Sequence, residues 1–101
     1  MIYMKEITEE KLKKYFSITE EAINMVKEKG IDEERKEEAE DFLDMATRYF
    51  SDAQHFFDND DYVNAFAALN YAHGWLDAGA RIRLFKVRDS RLFTVDDEIE
   101  E

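Results

Sequence analysis

Between Asp61 and Val87 the chain reads DYVNAFAALNYAHGWLDAGARIRLFKV, a helix-length run with apolar or small residues on more sides than one buried face can use. At 100° per residue, Tyr62, Ala65, Phe66, Leu69, Ala72, Leu76, Ala80, Leu84 and Val87 gather on one broad side. A second side carries Tyr71, Trp75, Ala78, Ile82 and Phe85, spaced four, three, four and three apart. Between the two runs a thin polar line of Asn70, Asp77 and Arg81, with Gly74 among them and His73 at its edge. The broad side is the seam expected of a helix packed in a bundle. The second stripe needs a cover of its own. Candidates within the chain are a C-terminal strap carrying Leu92, Phe93 and Val95, or Ile2 and Tyr3 at the N-terminus. The alternative is a homodimer or another protein partner, because aromatic-rich exposed stripes are typical of interface cores.

The rest of the chain predicts helices on either side of this one. Proline is absent and there are three glycines in 101 residues, so little interrupts backbone hydrogen bonding. Thr8 is placed to cap a first helix over residues 9–29, whose inward positions Leu12, Tyr15, Phe16, Thr19, Ala22, Ile23 and Val26 keep three-and-four spacing. Lys27 and Lys29 suit its negative end, and Gly30 suits a left-handed C-terminal stop. Asp32 opens a second helix over 33–57, with Ala39, Phe42, Leu43, Ala46, Tyr49, Phe50, Ala53 and Phe57 inward. Asp58-Asn59-Asp60-Asp61 makes the turn into a third helix over 61–87. Residues 89–101 form a tail, with 91–95 as a short extended strap and the acidic end as a disordered segment. The expected fold is therefore all-α, an up-down-up three-helix bundle with long helices.

Charge sharpens the picture. The net charge is −11, yet residues 1–30 are neutral, 31–61 carry twelve acids against three bases, 62–95 carry two against five, and 96–101 carry five acids. Antiparallel packing of helices two and three would set Arg81, Arg83, Lys86 and Arg88 beside the acidic start of helix two, answering the basic patch within the molecule. Such a balance argues against nucleic acid or an anionic membrane as partner. No stretch approaches the roughly 18 apolar residues of a membrane span. The absence of cysteine fits a reducing cytoplasm.

Gly74 and Gly79 each cost about 1 kcal/mol relative to Ala inside a helix, and close approach of another backbone along Ala65, Ala68, Ala72 and Gly79 is the natural compensation. The stretch Ala65 to Ile82, AFAALNYAHGWLDAGARI, preceded by the acidic helix and Tyr49-Phe50-Ser51-Asp52-Ala53, resembles an archaeal family, the domain of unknown function 357. That resemblance implies a small three-helix bundle and brings no activity, cofactor or catalytic residue with it.

Residues able to do chemistry are few. His73, Asp77 and Arg81 stand at i, i+4 and i+8, one turn beyond Asn70, so the four share a ridge that is a candidate for binding a small ligand. A boundary histidine beside an ordinary Asp77–Arg81 ion pair explains the same spacing, and no Ser or Cys nucleophile accompanies it. Arg48 and His55 have the Arg-to-His spacing of the helical RNases called HEPN domains, but in acidic surroundings where a pair with Asp44 or Asp52 is simpler. Asp52, His55 and Asp58 at three-residue steps suggest opportunistic metal binding at most. Counted as an EF-hand from Asp58, the loop fails, with Val63 where Gly is needed and Leu69 where Glu is needed. The sequence thus assigns no catalytic residue, metal or cofactor, and favours a helical interaction module over an enzyme.

Overall fold

The structure, a computed structural model, describes residues 6–95. Three helices run up, down and up: α1 (Glu9–Lys29), α2 (Lys36–Asp58) and α3 (Tyr62–Arg81), with a single 3-10 turn (Glu33–Arg35) leading into α2. The expected fold class is the one observed. α3 lies between the other two, and α1 meets α2 chiefly where Phe16 packs edge-on against Phe50 and Phe57.

Local chemistry sets these boundaries. Thr8 Oγ1 accepts the Lys11 amide at 3.1 Å at the start of α1. Gly30 ends the helix at φ +94°, where a side chain would be strained, while its amide reaches the Val26 carbonyl. Asp32 and Arg35 build the corner into α2. The Asp32 carboxylate accepts the Glu34 amide and Arg35 Nε, both at 3.0 Å. These two bonds, in that order, hold its pKa below the ordinary carboxylate value. The α2–α3 seam is built of alanines: Ala39, Ala46 and Ala53, seven apart on α2, and Ala65, Ala72 and Ala80 on α3 have no exposed surface. Small side chains suit close packing of two helices; of the small-residue row read from the sequence, Ala65 and Ala72 are fully buried, whereas Gly79 faces the Phe85 ring and no second backbone.

The third helix ends six residues earlier than the apolar pattern predicts. Arg83 turns into the left-handed region at φ +64°; its amide bonds to the Ala80 carbonyl and the Leu84 amide to Gly79 at 2.8 Å, a Schellman stop without glycine. Arg35 Nη2 then caps the exposed end by donating to the Ile82 and Arg83 carbonyls, each at 2.9 Å. Reversal brings Phe85 back beneath the helix, 1% exposed, and pairs it with Ile31 as an antiparallel bridge through Asp32 N to Leu84 O and Lys86 N to Gly30 O. Leu84, Phe85 and Val87 are core residues as their hydrophobicity demands, but the backbone reaches the core by doubling back.

The strap also departs from expectation. Residues 90–95 form turns instead of an extended segment, anchored where the Asp89 carbonyl accepts the Leu92 and Phe93 amides. Leu92 and Phe93 are buried against Ala22, Ile23, Val26, Leu76 and Ala80. Ile2, Tyr3 and the acidic end at 96–101 lie outside the described residues. The basic patch makes no close ion pair: among the described residues, no carboxylate lies within 4 Å of Arg81, Arg83, Lys86 or Arg88, although the Lys86 charge helps to lower the pKa of Asp32 at the start of the corner into α2.

The two helical glycines differ sharply in surroundings. A Cβ built on Gly79 would overlap the Phe85 ring, whereas one on Gly74 would meet nothing within 4 Å among the described residues. Urea denaturation of dilute protein should therefore show Gly79→Ala losing about 1–3 kcal/mol through overpacking, despite alanine's better helix propensity. Gly74→Ala should gain up to about 1 kcal/mol. Equal effects at the two positions would contradict this difference.

Candidate functional site

Two sides of α3 carry the residues of interest. They lie nearly opposite one another, since at 100° per residue Tyr71, Ala78, Trp75 and Ile82 fall about 140–200° from His73.

On the His73 side the polar ridge serves the fold. His73 Nδ1 lies 3.2 Å from the hydroxyl of Thr19, which is 2% exposed on α1. His73 Nε2 lies 2.6 Å from the Leu92 carbonyl. A carbonyl only accepts, so Nε2 carries the proton, and in the neutral ring Nδ1 accepts from the threonine. Asp77 Oδ1 accepts the Thr94 amide at 2.9 Å and sits 3.8 Å from His73 Nε2. His73 and Asp77 thus join α1, α3 and the C-terminal segment. Asn70 and Arg81 remain exposed at the ends of the ridge, and the Asp77–Arg81 pair that the spacing suggested does not form. Sequence reading missed Thr19 as a partner of His73, since its inward position gave no hint of what its hydroxyl would meet.

The other side is apolar and open. Tyr71 is 54% exposed and Ile82 48%, while Trp75 is half-buried against Phe42, with ring centroids 5.0 Å apart. Tyr71 stands edge-on to Tyr49 of α2 at 4.4 Å. Asn70, Tyr71, Gly74, Trp75 and Ala78 line a shallow concavity of about 290 Å³. Of the five stripe residues read from the sequence, the structure keeps Tyr71, Trp75, Ala78 and Ile82 together. Phe85 is removed from the stripe, because the chain reverses at Arg83 and buries its ring under Gly79. The strap crosses the His73 side and so does not cover this stripe.

A larger groove of about 510 Å³ separates α1 from α2, floored by Phe16, Phe50 and Phe57. Its rim mixes Lys13 with Glu20 and Asp58, and Lys13 already faces Glu9 at 3.4 Å. Arg48 pairs with Asp44 at 2.9 Å, as the simpler sequence reading had it. Among the described residues, no three His, Asp or Glu side chains are grouped to hold a metal ion, and no helix is long and apolar enough to cross a membrane.

The latch can be tested directly. His73→Ala leaves the Thr19 hydroxyl and the Leu92 carbonyl without their partner, which should cost about 2–3 kcal/mol. Hydrogen exchange at the Thr94 amide should accelerate in both His73→Ala and Asp77→Ala. Unchanged exchange in Asp77→Ala would show that the carboxylate does not hold the segment.

Comparison with curated proteins and with solved structures returns no match. Residues 14–85, however, match a family model described as a protein of unknown function, DUF357. The matched span covers most of α1, all of α2 and α3, and the reversal up to Phe85. On that match over more than half its length, the chain belongs to the DUF357 family.

Proposed function

We propose that this protein is a helical interaction module that self-associates through the outward face of α3, and that Tyr71, Trp75, Ala78 and Ile82 form the contact. One observation carries the reading: an exposed aromatic and aliphatic face surrounds a helical glycine on which a Cβ would meet nothing within 4 Å among the described residues. Apolar surface of this kind, set beside aromatic anchors, is what protein interfaces use. The competing reading, a ligand site on Asn70, His73, Asp77 and Arg81, is weakened because both His73 nitrogens and one Asp77 oxygen are already engaged in holding the chain together. The absence of cysteine supports placing the module in a reducing cytoplasm.

Light scattering coupled to size exclusion decides the matter. Wild type should run with the mass of more than one chain, and both Tyr71→Glu and Ile82→Glu should reduce it to one. Both side chains are half exposed, so the substitutions spare the core. A monomeric wild type at high concentration, or an oligomer unaffected by either charge, would rule out self-association through this face.

A further inference from the structure

Resting on that reading, the geometry points to a specific mode of pairing: a second copy of this chain packs α3 against α3 in antiparallel two-fold fashion, and the Tyr71 ring of each copy enters the concavity above the partner's Gly74. Three observations converge on this arrangement. First, the knob and the hole are adjacent on one helix. Tyr71 projects with 54% of its surface exposed, and Gly74, one turn on, forms the floor of an apolar hollow whose walls include Trp75 and Ala78. In a two-fold contact, whatever residue i meets as j, j also meets as i, so one surface supplying both parts is complementary to itself.

Second, the face is continuous along the helix. At 100° per residue, Val63, Ala67, Asn70, Tyr71, Ala78 and Arg81 all lie within about 60° of Gly74, and every one is exposed. A two-fold axis midway between Tyr71 and Gly74 falls one residue from the centre of α3, so the helices overlap along nearly their whole length. The same axis sets Ala78 against the partner's Ala67, two small residues where the backbones must approach.

Third, the ends agree in charge. The axis brings Arg81 opposite the partner's Asn64, beside the acidic turn at Asp58, Asp60 and Asp61. Among the described residues, no carboxylate of its own chain lies within 4 Å of Arg81. The antiparallel sense brings unlike charges together at both ends, whereas a parallel pair would set acidic turn against acidic turn and Arg81 against Arg81.

Two full-length variants test the pairing. Tyr71→Ala removes the knob, and Gly74→Leu fills the hole in a place where a new Cβ meets nothing within 4 Å among the described residues. Each alone should weaken dimerisation by at least about tenfold in sedimentation equilibrium, with unchanged helical circular dichroism. Mixed in equal amounts, they should form a heterodimer, detectable by its intermediate mass in native mass spectrometry. In that pair one end keeps Tyr71 over the partner's Gly74, and the other sets the new leucine over the new alanine. If wild type dimerises but either variant does so equally well, or if the mixture stays monomeric, the knob-and-hole pairing is overturned while self-association stands. A monomeric wild type overturns both.

Discussion

The seating of the Phe85 ring against Gly79 is the contact on which the rest of the arrangement depends. It requires glycine at that turn of α3, because a methyl group there would occupy the space of the ring. It also requires the backbone to reverse within four residues of Arg81. The Schellman hydrogen bonds to Gly79 and Ala80, the left-handed Arg83 and the Arg35 guanidinium on the Ile82 and Arg83 carbonyls together satisfy the polar groups that such a reversal exposes. Bridging by Ile31 then fastens the α1–α2 corner to the same place, so one apolar ring closes the end of the bundle where all three helices converge.

Ending α3 there decides which of its sides is covered. A helix continued to Val87 would have carried Phe85 outward along the Tyr71 stripe. Instead the chain returns across the His73 side, where Leu92 and Phe93 find the apolar surface of Ala22, Ile23 and Val26. Polar atoms on that side are matched individually: the Thr19 hydroxyl and Leu92 carbonyl by His73, the Thr94 amide by Asp77. No buried side-chain nitrogen or oxygen is left without a partner among the described residues. The His73 and Asp77 pair that resembles catalytic chemistry in sequence is, in space, a fastening. The Asp89 carboxylate behaves similarly at the base of the segment: hydrogen bonds from the Arg91 guanidinium, then from its amide, hold its pKa below the ordinary carboxylate value, and the guanidinium's own pKa is raised in turn.

What the sequence made legible follows from the range of the interactions involved. The bounds of α1, the Thr8 cap and the Gly30 stop are set by contacts within a few residues, and each stands where its spacing predicts, whereas Asp32 caps the 3-10 turn ahead of α2, and α2 itself begins at Lys36. The alanine seam was legible for the same reason, as a repeat of small residues on one face. The end of α3 was not, because Leu84, Phe85 and Val87 continue a helical apolar pattern and the left-handed position is filled by Arg83 instead of glycine. Its only local trace is Gly79, four residues upstream, whose meaning depends on a ring that returns from outside the helix. The strap's direction was likewise illegible, since it is held by side chains of His73 and Asp77 on backbone groups 19 and 17 positions further along the chain.

The two glycines of α3 therefore separate what the fold explains from what it does not. Both weaken a helix by about the same amount relative to alanine. At Gly79 the cost is offset inside the chain by the burial of Phe85, and the residue needs no partner to account for it. At Gly74 nothing among the described residues lies within 4 Å of where a Cβ would stand, and the bare backbone lies beside an exposed tyrosine on a face that the strap does not cross. Alanine would serve the monomer better there. A backbone kept bare, at the centre of an exposed apolar face, is intelligible when a second surface comes within the distance that a methyl group would deny it. This contrast makes the outward side of α3, and not the polar ridge that first suggests chemistry, the place where the fold leaves something for function to explain.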